Sequence, residues 1–242
     1  MTKQLTGKVA LVTGGTRGIG RSIAEKLLDA DAGVAICGRR QADVDRAVAE
    51  MAARAGNRVG GQPCDVAIYE DVARLFRFIS SRFGRMDILV NNAGIGLFQP
   101  IDQIAPEDWR RVLDTNLSGA FYCTKEAIPL MREHGGGYIF NIGSLAGTNA
   151  MAGGAAYNAS KFGMLGFSEA SLLDLRYDNI RVSCVMPGSV ATEFSGPGRG
   201  TEAWKIGPDD IAQTVLDLLA LPERTLASRV EVRPTRPPRR EK

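Results

Sequence analysis

The chain contains very little histidine and cysteine, which limits the chemistry that it can perform. Its 242 residues include one histidine and four cysteines, and no two cysteines form a Cys-x-x-Cys pair. A zinc site built from these residues is therefore not expected. The single histidine, His134, precedes a run of glycines that is typical of a helix end. We predict no metal site and no catalytic histidine.

Long hydrophobic runs are also missing. No apolar stretch reaches the roughly 18 residues that a membrane-spanning helix needs, and residues 1–8 lack the apolar core of a signal peptide. The net charge of +3 is concentrated in the basic tail, residues 233–242, and the rest of the chain is nearly neutral. A neutral body offers no basic face to nucleic acid. We predict a soluble cytoplasmic protein that binds neither membranes nor nucleic acid.

What the chain does contain is an alternation of short apolar runs with longer helix-like stretches. This alternation is typical of a parallel sheet covered by helices on both faces. With right-handed crossovers it predicts the α/β class, as a single-domain, Rossmann-like, doubly wound sheet of about seven strands. The predicted strands are 8–13, 34–38, 58–63, 87–91, 137–142, 180–186 and 229–232, and the predicted helices are 18–31, 41–55, 69–84, 107–133, 155–178 and 208–220.

No linker divides residues 1–232, which we therefore assign to one domain. The tail, 233–242, is rich in proline and arginine and is expected to fray into solvent. Residues 189–207 form the longest stretch without a predicted element, and they follow the end of a strand. Ligands bind at such strand ends in open α/β sheets. The segment is therefore predicted to be a substrate lid.

A glycine-rich turn follows the first predicted strand. Gly14, Gly18 and Gly20 are spaced Gly-x-x-x-Gly-x-Gly, and a predicted helix begins among them. Glycines let the backbone turn tightly and approach a phosphate group, which the free amides of a helix N-terminus attract. The turn alone is weakly specific, because a glycine turn after a first strand can also serve packing. Phosphate binding therefore needs support from elsewhere in the sequence.

The end of the second predicted strand supplies that support. An acidic residue there binds the ribose hydroxyl of NAD, whereas an arginine accommodates the 2′-phosphate of NADP. This chain has Arg39 and Arg40 there and no carboxylate. Arg39 is the expected phosphate ligand, with Arg17 closing on it from the glycine turn. Arg40 is a further candidate, although it also fits a solvated loop arginine. The predicted cofactor is NADP(H).

A tyrosine and a lysine lie one helical turn apart, at Tyr157 and Lys161. Residues i and i+4 of a helix share one face. Free tyrosine has a pKa of about 10, and a nearby ammonium group is expected to lower that pKa into a useful range. Tyr157 would then give a proton to a carbonyl oxygen that is being reduced. Ser144, at the end of a predicted strand, would stabilise the negative charge on that oxygen.

Seven short motifs, in this order and spacing, resemble those of the short-chain dehydrogenase/reductase family over residues 6–232. The motifs are Thr13-Gly14-Gly15-Thr16-Arg17-Gly18-Ile19-Gly20, Cys64-Asp65-Val66, Asn91-Asn92-Ala93-Gly94, Asn116, Ser144, Tyr157-x-x-x-Lys161 and Pro187-Gly188. The resemblance implies reversible carbonyl reduction with a catalytic set of Asn116, Ser144, Tyr157 and Lys161. It also implies that Lys161 holds the cofactor ribose and that Asn116 orders a water molecule for proton relay.

The resemblance further implies cofactor contacts at the matching positions. Asp65, in the motif with Val66, would bind the adenine amino group, and Asn91 would line the cofactor groove through its backbone. Ala93 and Gly94 would lie near the ribose. The nicotinamide end would be held by Pro187, Gly188, Val190 and Thr192, and the glycine turn would contribute Gly14, Thr16, Arg17, Gly18, Ile19 and Gly20.

The substrate is predicted only as a class. The expected pocket residues are mostly apolar: Ile95, Leu97, Phe98, Leu145, Met151, Met186, Phe194 and Trp204. A small-molecule ketone or aldehyde with hydrophobic flanks fits them. The first two-thirds of the chain resembles 3-oxoacyl-thioester reductases of the family, but the ending at 229–236 departs from theirs. The alternatives are an NADP-dependent dehydrogenase of a small alcohol or hydroxy acid, and a protein that binds NADP without turnover.

Small residues form a stripe on the helix that carries Tyr157. They are Ala159, Gly163, Gly166 and Ala170. A stripe of this kind lets another backbone approach closely, either the protein's own sheet or the same helix of a second subunit. The family resemblance favours the second subunit, so we predict a homodimer or homotetramer.

Overall fold

The computed structural model describes residues 5–195 and 202–238, and its centre is one parallel sheet. The seven strands are arranged in the order β3-β2-β1-β4-β5-β6-β7. Their bounds are β1 Val9–Thr13, β2 Gly33–Gly38, β3 Val59–Pro63, β4 Ile88–Asn91, β5 Gly137–Ile142, β6 Ile180–Pro187 and β7 Arg229–Val232. Each lies within one residue of its predicted position, and every pairing is parallel. The doubly wound prediction is confirmed.

Helices cover both faces of this sheet. They are α1 Gly18–Asp29, α2 Gln41–Ala55, α3 Tyr69–Phe83, α4 Pro106–Leu113, α5 Gly119–Glu133, α6 Ala155–Leu175 and α7 Pro208–Ala220. One apolar layer joins the sheet to α1, α2 and α7, and the other joins it to α3, α5 and α6. The central strands β1, β2, β4, β5 and β6 are buried on both faces, which explains why they are mostly apolar in the sequence, whereas the edge strands β3 and β7 are partly exposed.

The strand order reverses between β1 and β4, and this reversal positions the site. From β1 the chain proceeds outward through β2 and β3, then returns to the other side of β1 as β4. A crevice forms outside the carboxyl ends of the strands at such a reversal, and ligands bind there in open α/β sheets. The glycine turn after β1 and the loop after β4 both lie at this edge.

One predicted helix is interrupted. The sequence predicted a continuous helix over 107–133, but α4 ends at Leu113 and α5 begins at Gly119, with a π-helical turn over Asp114–Ser118 between them. The side chain of Asn116 lies inside this turn and is almost fully buried. Turns of this type occur frequently at functional sites. The interruption therefore marks the segment that carries a predicted catalytic residue.

The predicted lid and the basic tail are described only in part. Val190 pairs with Ile206 across the base of the lid, and Glu193–Ser195 form a short 3-10 turn. The lid residues 196–201 and the tail residues 239–242 lie outside the described residues. At the start of the tail, the Arg233 side chain pairs with Glu231. Within 5–195 and 202–238, no helix is long and apolar enough to cross a membrane.

Candidate active site

The glycine turn after β1 is closed so tightly that larger residues do not fit. Gly14 and Gly18 have positive φ angles, 64° and 57°, which favour glycine. A Cβ atom on Gly20 would lie 2.3 Å from Nδ2 of Asn92 and 2.5 Å from the carbonyl oxygen of Gly14. The turn therefore leaves the backbone bare at the crevice, as a phosphate cradle requires.

Asn92 holds this turn to the loop after β4. Its Nδ2 donates to the carbonyl oxygen of Thr13 at 2.9 Å, and the backbone amides of Asn92 and Ala93 donate to Thr13 Oγ1 at 3.0 Å. These bonds join the ends of the two central strands, β1 and β4. Ala93 also approaches the turn closely, since a Cβ on Gly14 would lie 3.1 Å from its Cα.

The N-terminus of α1 points its amides into the crevice without a cap. Its N-cap residue, Arg17, makes no side-chain capping bond, and the first turn contains no acidic residue. The helices α2, α3, α4 and α7 have aspartate or glutamate in the first turn, whereas α5 and α6, like α1, have none. Uncapped amides and the helix dipole attract an anion. The residues present therefore fit the diphosphate of a dinucleotide.

The three arginines predicted to bind phosphate differ in their partners. Arg39 is exposed and forms no hydrogen bond or ion pair with any of the described residues. Arg40 pairs with Asp43 on α2 at 2.5 Å, and Arg17 pairs with Glu193 at 3.2 Å. Thr16 packs against the end of β2, because a Cβ on Gly38 would lie 2.9 Å from its Cγ2. Arg39 is thus the arginine best placed to take a phosphate.

The remaining predicted cofactor ligands lie along the same edge of the sheet. Oδ1 of Asp65 accepts the backbone amide of Ala67, and Thr192 faces Gly18, whose Cβ would lie 3.5 Å from the Thr192 methyl group. Gly188 donates its amide to Val232 at 2.8 Å. Of the other predicted ligands, Val66 is buried against Gly119, and Asn91 and Pro187 are buried at strand ends. Val190 pairs with Ile206, and Gly94 lies beside Asn116. Ile19 packs against the core.

Tyr157, Lys161 and Ser144 are brought together where α6 crosses the end of β5. Oγ of Ser144 accepts the backbone amide of Ala146 at 3.1 Å, and the Ser144 hydroxyl lies close enough to the Tyr157 phenol to affect its pKa. Lys161 Nζ lies 5.8 Å from the centroid of the Tyr157 ring and donates to the carbonyl oxygen of Ile142 at 2.8 Å. Both α6 side chains are buried, with 8% and 6% of their surface exposed.

The prediction that Lys161 lowers the pKa of Tyr157 is wrong for this structure. Burial raises the pKa of the Tyr157 phenol, and the nearby Ser144 hydroxyl offsets this only in part. Burial also lowers the pKa of the Lys161 ammonium group, to about 8. Burial disfavours the charged form of both groups, and the ammonium group donates to Ile142 instead. Tyr157 is therefore a neutral phenol at neutral pH and a ready proton donor.

The Asn116 side chain ties three segments together. Its Nδ2 donates to the carbonyl oxygen of Ile95 at 2.9 Å and to Ser160 Oγ at 3.0 Å. Its Oδ1 accepts the amide of Ile95 at 2.8 Å. Both amide hydrogens are thus committed to the protein, and the side chain fixes the loop after β4 against α6. Its role in ordering water stays a prediction.

Asn158 is a structural residue of the site that the sequence analysis did not single out. Its Nδ2 donates to the carbonyl oxygens of Ala146 and Asn149, and its Oδ1 accepts the amide of Met151. The side chain thereby folds the loop after Ser144 onto α6. Its position directly after Tyr157 was the available signal.

Aromatic side chains flank the phenol. The ring centroids of Phe98 and Phe194 lie 5.4 Å and 5.8 Å from that of Tyr157. Met186, which was predicted to line the pocket, is fully buried behind Gly143 and does not reach the pocket surface. Side chains on a strand alternate between the two faces of the sheet, and Met186 lies on the face where Gly143 packs over it.

A family model described as short chain dehydrogenase matches residues 8–203. The chain belongs to the short-chain dehydrogenase/reductase family. The resemblance predicted from the seven motifs is confirmed, and with it the assignment of the chain to a family of oxidoreductases.

Relatives of this short-chain dehydrogenase/reductase differ in what they act on. The chain is 35% identical to 3alpha-hydroxysteroid dehydrogenase of Mediterraneibacter gnavus over 195 residues, 80% of this chain and 78% of that protein. A metagenomic short-chain oxidoreductase in complex with NADP is 37% identical, with a TM-score of 0.85 over 97% of this chain and 100% of that chain. The closed form of serine dehydrogenase complexed with NADP+ is 32% identical, with a TM-score of 0.84 over 93% and 94%.

Proposed function

We propose that the protein is an NADPH-dependent oxidoreductase that reduces a ketone or aldehyde to an alcohol. The observation that carries the proposal is the neutral, buried phenol of Tyr157, which lies beside Ser144 and one helical turn from the buried Lys161. A raised phenol pKa suits a group that gives up a proton to a developing alkoxide. The same phenol is poorly suited to act as a base at neutral pH.

The cofactor assignment rests on the crevice beside this phenol. The bare glycine turn and the uncapped N-terminus of α1 suit a diphosphate, and the unpaired Arg39 suits a 2′-phosphate. Two solved relatives, the metagenomic oxidoreductase and serine dehydrogenase, are NADP complexes. When bound, NADPH supplies the hydride that reduces the carbonyl carbon. Lys161 and the loops that carry Ala93, Gly188 and Thr192 would hold its ribose and nicotinamide.

The chain's own groups act on the substrate oxygen. The hydroxyls of Ser144 and Tyr157 would both donate hydrogen bonds to it, which orients the carbonyl and stabilises negative charge as it develops. The Tyr157 phenol then gives its proton to that oxygen, and the Lys161 ammonium group stabilises the phenolate that remains. Asn116 and Asn158 keep the two loops of the pocket in place against α6.

The substrate class follows from the walls around Tyr157. Phe98 and Phe194 flank the phenol and are exposed, Met151 is exposed on the loop before α6, and none of the three carries a charge. A carbonyl compound with apolar flanks is favoured over a hydroxy acid, whose carboxylate would need a cation. Reduction of a 3-oxoacyl thioester is one such reaction. Oxidation of a small alcohol, and NADP binding without turnover, are the alternatives.

We also propose that the protein self-associates and that it works in the cytoplasm. Of the predicted stripe, Gly163 faces the protein's own Leu117, whereas Gly166 has no atom within 4 Å of a built Cβ. Phe162 and Leu173, on the same helix, are 46% and 58% exposed. Exposed apolar side chains beside an open glycine suit a second subunit. A homodimer or homotetramer through α6 is therefore the proposed assembly.

The function is tested by loss of NADPH absorbance with a panel of ketones, aldehydes and acetoacetyl thioesters. We expect turnover in the wild type and its loss in Tyr157→Phe, with the NADPH dissociation constant unchanged. Retained turnover in Tyr157→Phe would contradict the mechanism. Tight NADPH binding with no turnover of any compound would favour the non-catalytic alternative.

A further inference from the structure

Large apolar side chains are exposed on the loops that surround the catalytic phenol. Phe98 and Met151 are each 47% exposed, and Phe194 is 42% exposed. They come from the loop after β4, the loop before α6 and the first turn of the lid, so the fold gathers them from distant parts of the chain. Exposed apolar side chains grouped at one mouth mark a binding surface.

The two phenylalanine rings converge on Tyr157 from two loops that are far apart in the sequence. Phe98 is tilted by 59° to the Tyr157 ring at 5.4 Å, and Phe194 is tilted by 52° at 5.8 Å. Tilted and edge-to-face arrangements at these distances are favourable between aromatic rings. The proton-donating group therefore lies between two rings whose faces remain partly open to solvent.

Gly96 forms the floor on which the two rings meet. A Cβ atom at this position would lie 2.8 Å from the Phe98 ring and 2.9 Å from the Phe194 ring. The backbone of Gly96 does not have a positive φ angle, so the rings and not the backbone require a glycine here. The neighbouring Ile95 is held through both its amide and its carbonyl by Asn116. Asn116, in the π-helical turn between α4 and α5, thus holds the backbone next to Gly96 in place.

The wall that carries Phe98 is also anchored. The amide of Gln99 donates to the carbonyl oxygen of Gly153 at 2.8 Å, which joins the loop after β4 to the loop before α6. Asn158 holds the second of these loops through the Met151 amide. Phe98 is therefore presented on a rigid support, which lowers the entropy cost of binding a ligand against it.

We propose that the substrate carries a planar aromatic ring beside its carbonyl group and that Phe98 and Phe194 bind this ring. The inference rests on the proposed function and specifies its substrate. A flat ring can lie against both phenylalanine faces while the carbonyl oxygen meets Ser144 and Tyr157. A saturated ring of the same size buries similar apolar area but lacks the favourable ring–ring geometry. Gly96, Phe98 and Phe194 are then specificity-determining residues.

A matched pair of ketones separates aromatic recognition from simple hydrophobicity. Phenylacetone and cyclohexylacetone both place a methyl ketone one methylene group from a six-membered ring. The carbonyl is unconjugated in both, so its intrinsic reactivity is similar. We expect kcat/KM with NADPH to be about tenfold higher for phenylacetone, because each aromatic pair contributes beyond its buried area.

Three variants test the residues assigned to ring binding. Phe98→Leu and Phe194→Leu keep apolar bulk without a ring, so each should bring the ratio of the two kcat/KM values toward one. The expected loss lies mainly in phenylacetone turnover. Gly96→Ala should also lower the ratio, because its methyl group displaces both rings. Phe121→Leu is the matched control: this phenylalanine is also 47% exposed but lies on α5 against Tyr122 and Phe167, and the ratio should not change.

The outcomes distinguish this inference from the function on which it rests. Equal kcat/KM values for the two ketones in the wild type would overturn the aromatic inference and leave carbonyl reduction standing. Should no carbonyl compound be reduced at all, the proposed function fails, and calorimetric titration of NADP+-loaded protein with each ketone decides the inference. Tighter binding of phenylacetone that Phe98→Leu abolishes would support it, and equal affinities would overturn it.

Discussion

Burial acts in opposite directions on the two titrating groups of the site. It raises the pKa of Tyr157 and lowers that of Lys161 to about 8. Reduction needs Tyr157 protonated and Lys161 charged, so kcat/KM for reduction should be constant near neutral pH and fall above about pH 8, where Lys161 loses its proton. Oxidation of the alcohol needs the phenolate and should instead accelerate as pH rises. Initial rates in both directions with saturating cofactor measure this.

The control for this pH profile is a variant in which residue 161 carries a positive charge at every pH tested. Lys161→Arg keeps a positive charge throughout the range, because the guanidinium group stays protonated. The variant is expected to be slower, since the fork-shaped group does not fit the same pocket, but its alkaline fall should move to higher pH. A reduction rate that increases from about pH 7 to about pH 9 in the wild type would contradict the assigned roles.

The two neighbouring arginines after β2 give a sharp test of cofactor choice. Arg39 has no partner among the described residues, whereas Arg40 is paired with Asp43. Charge-assisted bonds to phosphate are strong, so Arg39→Ala should raise the KM for NADPH about tenfold or more and leave that for NADH nearly unchanged. Arg40→Ala should affect neither cofactor appreciably. The measurement is the KM for NADPH and for NADH in each of the two variants. Equal effects of the two substitutions on the KM for NADPH would refute the assignment of Arg39 as the phosphate ligand.

The junction of β1 and α1 is the element on which cofactor binding depends most. Gly20→Ala places a methyl group against Asn92 and the Gly14 carbonyl. To make room for this methyl group, the glycine turn or Asn92 has to shift, and the uncapped amides at the start of α1 move with the turn. We expect NADPH affinity to fall by tenfold or more, which corresponds to about 1.4 kcal/mol, together with a lower midpoint of thermal unfolding. Titration with NADPH and thermal melts measure the two effects.

Gly166→Ala is the matched control for this substitution. It adds the same methyl group to a helix where no atom lies within 4 Å. Alanine is the better helix former by about 1 kcal/mol. The control should therefore leave NADPH affinity unchanged. Because Gly166 lies on the proposed subunit face of α6, the thermal midpoint of the variant is compared only once sedimentation has shown its oligomeric state. Unchanged NADPH affinity in Gly20→Ala would show that the turn tolerates the shift and that its closure does not govern binding.

The sequence predicted the elements well because their periodicity is local. The central strands β1, β2, β4, β5 and β6 are mostly apolar runs, and the longer helices have a repeating buried face. The π-helical turn at Asn116 was missed because an added residue within one turn hardly disturbs that repeat. Its cause is the long-range bonding of Asn116 to Ile95 and Ser160, which no local pattern reveals.

The sequence also predicted most residues of the candidate site, but it did not predict the direction of their pKa changes. Spacing alone brought Tyr157 and Lys161 to one helix face. The direction of their pKa changes depends on burial, which the fold decides. The pairing of Arg17 with Glu193 joins residues separated by 176 positions, and the convergence of Phe98 and Phe194 on Gly96 joins two loops. Contacts of this kind require the three-dimensional structure.

Taken as a whole, the molecule concentrates its chemistry at one edge and leaves one helix face without a covering layer. The carboxyl ends of the strands carry the glycine turn, the arginines after β2, the Tyr157 phenol and the two phenylalanine rings beside it. Helix α6 carries Tyr157 toward that edge, yet it also exposes Phe162 and Leu173. A partner that packs against α6 would stabilise the helix on which catalysis depends. Assembly and activity are therefore expected to be coupled.

Charge placed on this face should separate the subunits. The double variant Phe162→Glu with Leu173→Glu introduces like charges on both copies of a shared interface, where burying unpaired charge is costly. We expect the wild type to sediment as a dimer or tetramer at micromolar concentration and the double variant as a monomer with reduced turnover. Ile68→Glu, at a residue that is 47% exposed before α3, is the control and should remain assembled. A monomeric wild type would refute the assembly, whereas an assembled double variant would place the interface on another face.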